Sequence, residues 1–118
     1  MASSQDFARL VTARLALYAA ATTRAMFGGF GVFVDGMMIG LIAGDVFHLK
    51  ADDQNRPDFE AAGMGPFTYD RRGKPAALSY WQAPEAIFED PPTLAAWVEK
   101  AHQAARRGKR KKRGSRRR

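Results

Sequence analysis

Few residues of this chain have side chains suited to acid–base or nucleophilic chemistry, and they lie far apart. There are two histidines, His48 and His102, and no cysteine, so a transition-metal site would have to rely on carboxylates. Ser79 and His48 could form a nucleophile and its base, but the sequence neither places them together nor supplies an oxyanion hole. We therefore expect no catalytic residue, metal or cofactor, with His48 on a strand and His102 on a helix surface.

Two further groups of residues have a chemical and a structural interpretation. Gly28, Gly29 and Gly31 could cradle a phosphate, but phosphate loops lead from a strand into a helix, whereas these glycines open a predicted hairpin. Asp52 and Asp53 could recruit a cation, although capping of a helix explains both. The structural interpretation is favoured in each case.

The most strongly charged stretch is the end of the chain. Residues 106–118 hold ten of the 19 Lys and Arg residues and no acid, while the preceding residues hold the other nine bases and all 12 acids, a net charge of −3. Nucleic acid is a better partner for this tail than a membrane, because no apolar residue accompanies the charges to insert among lipids. The ten predicted nucleic-acid-binding residues are Arg106, Arg107, Lys109, Arg110, Lys111, Lys112, Arg113, Arg116, Arg117 and Arg118.

Other functions remain open for the tail and for three aromatic residues. The tail could serve solubility, or, in a eukaryote, residues 109–113 could form a nuclear address. Tyr69, Tyr80 and Trp81 could stack on bases as sheet aromatics do in single-strand binders, but core packing is the favoured expectation.

The rest of the chain is organised around a predicted β-hairpin at residues 26–43. Asp35-Gly36 favours a two-residue type I′ turn because both residues tolerate positive φ. With Val34 opposite Met37, the register places Gly31 opposite Gly40. The two glycines would leave a trough on one sheet face, filled by the first or last helix of the chain or by a partner.

The remaining pattern predicts a small two-layer α+β domain over residues 1–105, followed by a disordered tail over residues 106–118. At 118 residues the chain is long enough for one core, and it has no apolar run of the ~18 residues that a membrane span needs. We expect a cytoplasmic protein. The predicted elements are a helix from Ser3 or Ser4 to about Ala20, a three-stranded antiparallel meander at 26–34, 37–43 and 46–49, a helix from Asp52 or Asp53 to about Ala62, a hairpin at 67–81, one helical turn at 84–89 and a C-terminal helix from Pro91.

Several separated motifs resemble the TfoX (Sxy) N-terminal domain family. They are Met26-Phe27-Gly28-Gly29-Phe30-Gly31, the Asp35-Gly36 turn ahead of Gly40, Leu49-Lys50, Asp53-Gln54-Asn55-Arg56, Phe59-Glu60-Ala61-Ala62-Gly63-Met64 and Leu78-Ser79-Tyr80. The resemblance covers about residues 7–105 and implies a compact α+β domain. It also implies a role in regulation, because members of this kind are linked to natural competence and transcription. Those members carry a helical C-terminal domain, in whose place this chain has the basic tail.

The leading hypothesis is a non-enzymatic regulatory binding module whose tail contacts nucleic acid without sequence specificity. Its folded domain would bind a protein partner or a second copy of itself. We expect no membrane contact and no small-molecule substrate. The alternative is a stand-alone structural or protein-interaction adaptor domain with a solubilising tail.

Overall fold

The part of the chain that the structure describes is built from one antiparallel sheet and three α-helices. The structure, a computed structural model, describes residues 5–26 and 28–116, with the side chains of residues 70, 71, 75–77 and 111–116 outside that description. The elements are, in chain order, α1 (Gln5–Leu15), β1 (Ala21–Met26), β2 (Gly29–Val34), β3 (Met37–Ala43), β4 (Val46–Lys50), α2 (Arg56–Ala61), β5 (Pro66–Arg71), β6 (Lys74–Gln82), a 3-10 helix (Glu85–Glu89) and α3 (Pro91–Arg116).

The α+β class is as predicted, but the sheet is larger than the predicted meander. All six strands form one sheet in the order β1-β2-β3-β4-β6-β5. β1 is an added edge strand, consistent with the β-branched Thr22 and Thr23 that precede the hairpin. The β5–β6 hairpin joins the same sheet because β6 pairs with β4, with Tyr80 opposite Lys50 and Trp81 opposite Leu49.

The turn of the β2–β3 hairpin has the predicted geometry. Asp35 and Gly36 have φ angles of 53° and 75°, which is the left-handed region that a type I′ turn requires at both central positions. Val34 pairs with Met37, as predicted from the two-residue loop.

The predicted register is wrong beyond Phe33, because β3 contains a bulge at Ile39. Val32 pairs with Gly40, and Gly31 pairs with Leu41. Since a one-residue shift moves a side chain to the other face, Gly31 and Gly40 lie on opposite faces of the sheet and form no shared trough. A bulge of this kind has no local signature in an apolar run, so the turn alone could not predict it.

A neighbouring strand, rather than a helix, fills the space at Gly40. A Cβ at this position would lie 2.7 Å from the His48 carbonyl oxygen and 2.7 Å from Cε1 of Phe47, both on β4. At Gly31 the atoms nearest to an added Cβ belong to the side chains of Met26 and Phe33. Residues of this chain fill both spaces. They belong to the sheet strands, whereas the prediction was that α1 or α3 would fill them.

The hydrophobic core lies between one face of the sheet, called the inner face, and the helices. The apolar stripe Leu94, Val98 and Ala101 of α3 is buried there, and Trp97 of the same helix packs against it partly buried. α1 ends at Leu15 instead of continuing to about Ala20, and Leu17 beyond it is 69% exposed. The buried apolar side chains of this core include Val11, Leu15, Val32, Val34, Ile39, Ile42, Phe47, Leu49, Phe59, Leu94 and Val98.

α3 continues as a helix to Arg116, past the predicted domain boundary at residue 105. Its start is as predicted, since Pro91 and Pro92 open the first turn and the Leu94 N–H donates to the Asp90 carbonyl. The prediction of a disordered chain from residue 106 therefore differs from the structure over the helical residues, and residues 117–118 lie outside the described part.

Candidate nucleic-acid interface

The basic residues predicted to bind nucleic acid extend along the C-terminal end of α3. Lys109 and Arg110 are exposed there, whereas Arg107 is half-buried. The helix backbone also carries Lys111, Lys112, Arg113 and Arg116, and Arg117 and Arg118 lie outside the described residues. The positive charge thus begins on a helix whose preceding turns are packed in the core.

Arg107 fastens this end of α3 to the loop that follows β4. Its Nε donates to Oδ2 of Asp52 at 2.6 Å and its Nη2 donates to Oδ1 at 2.9 Å, in a two-bonded ion pair. The hydrogen bonds from Arg107 hold the pKa of the Asp52 carboxyl below its ordinary value, and the carboxylate raises the pKa of Arg107. Residue 107 therefore belongs to the folded body, and its charge is partly neutralised.

The loop that presents Asp52 is itself held by hydrogen bonds. The Asn55 side chain donates to the Lys50 carbonyl at 2.9 Å and accepts from the Asp52 N–H at 2.7 Å. Asn55, rather than Asp52 or Asp53, occupies the N-cap position of α2, which begins at Arg56. Asp53 instead pairs with Arg56 at 2.7 Å in an exposed ion pair.

A polar cluster around buried His102 links α3 to the turn that follows α1 and to the β2–β3 turn. The Tyr18 hydroxyl donates to Glu99 and lies 2.8 Å from Nδ1 of His102. Nε2 of His102 lies 3.5 Å from Oδ2 of Asp35, and Arg106 approaches Nδ1 at 3.4 Å.

The pKa values of two members of this cluster follow from these contacts. Burial and the hydrogen bond to Glu99 raise the pKa of Tyr18, so its phenol stays protonated. The same bond lowers the pKa of Glu99, because it stabilises the carboxylate.

His102 is only 2% exposed, so its predicted place on the helix surface is wrong. It is covered because α1 and the turn both pack over this side of α3.

A cleft of about 300 Å³ opens where the basic end of α3 passes the sheet. Lys50 and Lys109 lie on its walls beside the ring of Tyr80. Nζ of Lys50 is 5.1 Å from the centroid of that ring and donates to Oγ of Ser79 at 2.9 Å. The other lining residues are Gly36, Met37, Met38, Ala105 and Gly108. The cleft therefore combines two cations with an aromatic and apolar wall.

Ser79 and His48, which were considered as a possible nucleophile and base, form hydrogen bonds to different residues. Nδ1 of His48 lies 3.1 Å from the Val46 carbonyl, and its ring packs edge-on against Phe67. Burial lowers the pKa of His48. The Ser79 hydroxyl accepts from Lys50. The strand position of His48 is as predicted.

Of the glycine cluster, Gly28 lies in the turn between β1 and β2, while Gly29 and Gly31 lie on β2, so the cluster opens the β2–β3 hairpin as predicted and also closes a β1–β2 hairpin that was not predicted. Gly28 has a φ of 76°, and Gly29 begins β2. A strand follows these glycines instead of the helix N-terminus that phosphate loops use. Of the other motif residues, Met26 ends β1 and Phe27 lies outside the described residues.

Most of the chain, including the hairpin at Asp35-Gly36, matches a known family. The TfoX N-terminal domain matches residues 13–105 of this chain. The chain belongs to the TfoX N-terminal domain family. The match confirms the resemblance seen in the separated sequence motifs and supports a family-level likeness to a regulatory domain. The comparison with curated proteins gives no match.

Within the described residues, no helix has both the length and the apolar character that crossing a membrane requires. α3 is the longest helix described, and its second half carries the basic residues.

Two features of this region had no usable signal in the sequence. The partner of Asp52 lies 55 residues away in the chain, and no local pattern specifies such a pairing. The partner of the Tyr18 hydroxyl, Glu99, is 81 residues away. A signal for burial of His102 was present, since it adjoins Ala101 in the apolar stripe of α3.

Proposed function

We propose that this protein is a non-enzymatic regulatory binding module whose basic α3 end contacts nucleic acid. Membership of the TfoX N-terminal domain family supports the regulatory part of this proposal. We expect the protein to act in the cytoplasm, in transcription or competence regulation as the family resemblance implies, and to use no cofactor.

The proposal that the protein binds nucleic acid rests on the position of the basic residues at the C-terminal end of α3. Exposed Lys109 and Arg110 continue a helix that is fixed to the body by Arg107, and further bases follow at residues 111–113. An otherwise acidic body makes this end the strongly positive part of the chain. Lysine and arginine side chains meet phosphates without reading bases, so binding is expected to be tight at low salt and largely independent of sequence.

Neutralising part of the helix end tests the proposal without disturbing the fold. In the variant Lys109→Gln, Arg110→Gln, Lys111→Gln, three charges are lost while the Arg107 ion pair is kept. Each neutralised phosphate contributes about −0.9 to the slope of log K against log salt on duplex DNA, so the slope should become shallower by about 2 to 3. Fluorescence anisotropy with a labelled duplex, titrated at several salt concentrations, measures it.

A matched control removes the same number of charges elsewhere. Arg9, Arg72 and Lys74 are exposed and distant in sequence from the helix end, and their replacement by Gln lowers the net charge equally. We expect the control to retain most of the parent's affinity and its salt slope. Equal losses in the two variants would show that only net charge matters, and unchanged binding by the helix-end variant would refute the proposal.

A protein-interaction adaptor is the second candidate, favoured by two exposed apolar side chains on α1 and just past its end. Leu10, on α1, is 45% exposed, and Leu17, two residues past the end of α1, is 69% exposed. In that case the folded domain binds a protein or a second copy of itself. A change in mass by light scattering on replacing Leu10 and Leu17 with Ser would support self-association, and an unchanged monomer mass for parent and variant would exclude it.

A further inference from the structure

The face of the sheet opposite the core, called the outer face, has no helix over it in the described part of the chain. α1, α2 and α3 all contribute to the inner-face core, through residues such as Val11, Phe59 and Val98. Strand alternation places Phe33, Met38, Lys50 and Tyr80 on the outer face, next to the β2–β3 turn. They lie on four successive strands of the sheet, β2, β3, β4 and β6.

A positively charged side chain lies over each of the two aromatic rings in this row. Cζ of Arg24, on β1, lies 4.8 Å from the centroid of the Phe33 ring, and Nζ of Lys50 lies 5.1 Å from that of Tyr80. The Tyr80 hydroxyl reaches the Met38 carbonyl at 3.4 Å, which holds the ring across the strands. An aromatic ring beside a guanidinium or ammonium group is the combination that single-strand binders present to bases and phosphates.

The charge of this face suits a polyanion. The sequences of β1, β2, β3, β4 and β6 contain no Asp or Glu, whereas they contain Arg24 and Lys50. Asp52, the acid closest in sequence to Lys50, is held in the two-bonded pair with Arg107. Arg24 and Lys50 therefore give an acidic ligand favourable charge beside both aromatic rings of the row.

The row is also continuous with the basic end of α3. Met38, Lys50 and Tyr80 line the same cleft as Lys109, so one surface runs from the outer face to the helix end. We propose that this outer face, with Phe33 and Tyr80 as stacking platforms and Arg24, Lys50 and Lys109 as phosphate contacts, binds single-stranded nucleic acid. The inference rests on the proposed function, which it deepens by naming the form of nucleic acid and the site on the body.

The geometry favours an unpaired strand over a duplex. Phe33 and Tyr80 lie three strand spacings apart, or about 14 Å, so a nucleic-acid strand that crosses the sheet can stack a separate unpaired base on each ring, as bases stack on the sheet aromatics of RNA-binding domains. Bases in a duplex are stacked on each other and cannot lie flat on these rings. The helix end alone would hold either form, so the rings are what should discriminate between them.

The test compares single-stranded and duplex binding in the full chain. Tyr80→Leu and Phe33→Leu remove a ring while keeping apolar volume, and Phe7→Leu is the matched control, because Phe7 is a partly buried ring on α1 that packs against the inner-face core. With fluorescein-labelled oligo(dT) and a duplex of equal length, we expect each ring variant to lose at least about 5-fold in affinity for the single strand. Duplex affinity should change less than about 2-fold, because phosphate contacts remain.

The outcomes separate this inference from the proposed function. If neutralising Lys109, Arg110 and Lys111 weakens binding while folded Tyr80→Leu and Phe33→Leu bind the single strand like the parent, the outer-face site is refuted and the proposed function stands. If the parent binds neither probe at low salt, both are refuted.

A measurement on the parent protein avoids reliance on variants that fail to fold. Ultraviolet cross-linking to a bromodeoxyuridine oligonucleotide, followed by peptide mass spectrometry, should place adducts on peptides that contain Phe33, Met38 or Tyr80. Adducts confined to the α3 end would overturn the inference.

Discussion

Replacing Gly40 with Ala should destabilise the protein, although alanine is normally the better strand residue. The added Cβ would lie 2.7 Å from the His48 carbonyl oxygen and 2.7 Å from Cε1 of Phe47. Neither neighbour can move freely. The carbonyl belongs to the backbone of β4, and the Phe47 ring is buried with Phe88 packed 5.8 Å away.

The expected magnitude is a difference between two effects. Overpacking of a filled core costs about 1–3 kcal/mol. Removing a glycine from a strand interior returns about 0.5–1 kcal/mol. Taking the middle of each range, the net loss in free energy of unfolding is about 1 kcal/mol, which lowers Tm by about 5 °C in a domain of this size.

Gly31→Ala is the matched control, one strand away on the opposite face. Its added Cβ would meet Cε of Met26 at 2.8 Å and Sδ at 3.0 Å, with Cε1 of Phe33 at 3.0 Å. The end of a methionine side chain can rotate away at little cost. We expect the free energy of unfolding of Gly31→Ala to stay within about 1 kcal/mol of the parent's.

Urea denaturation followed by circular dichroism measures both variants, and similar m-values would show that the same surface is exposed on unfolding. A denaturation midpoint for Gly40→Ala at or above that of the parent would refute the reasoning. So would equal losses at Gly40 and Gly31, because the argument depends on the difference between a fixed backbone atom and a mobile side-chain end.

Three other changes test the contacts of α3. Arg107→Gln should lower the free energy of unfolding by about 1–2 kcal/mol. The pKa of Asp52 in the folded protein lies below its ordinary 3.8, so the ion pair stabilises the fold fully at pH values well above 3.8. The difference in unfolding free energy between the parent and Arg107→Gln should therefore be full there and disappear as the pH falls through the lowered pKa, which urea denaturation at a series of acidic pH values measures. Tyr18→Phe should leave the ultraviolet-absorbance change of tyrosine ionisation unaltered up to pH 11 or so, because the folded Tyr18 phenol does not ionise there; a smaller change in the variant would contradict the buried bond. Gly108→Ala, whose Cβ would meet no described atom within 4 Å, should raise stability by about 0.5–1 kcal/mol in thermal melts, and a loss would argue against a continuous helix.

Local signals predicted the parts of the fold that depend on few residues. The type I′ turn follows from Asp35-Gly36, and the start of α3 follows from Asp90 and the two prolines, since each is decided within one turn of chain. The order of the predicted strands and helices along the chain also followed from apolar periodicity.

The predictions that were wrong concern features that depend on contacts between segments far apart in the sequence. The bulge at Ile39 forms where β2 and β3 pair beside β4. It places Gly40 on the inner face, where the Phe47 ring leaves no room for a Cβ. The helical end of α3 was missed because disorder was inferred from like charges alone, while Arg107 has a carboxylate partner elsewhere in the fold. Charge repulsion can be read from the sequence, but its compensation by Asp52 cannot.

The position of Gly108 next to the clamped Arg107 makes the spacing of this segment as important as its composition. An α-helix turns by about 100° and advances about 1.5 Å with each residue. One inserted residue between Arg107 and Lys109 would therefore rotate Lys109 away from the cleft while leaving the total charge unchanged. The ion pair with Asp52 fixes the rotation of the helix at Arg107, so two chains with the same charged residues but a different spacing after Arg107 present their cations to different sides of the sheet.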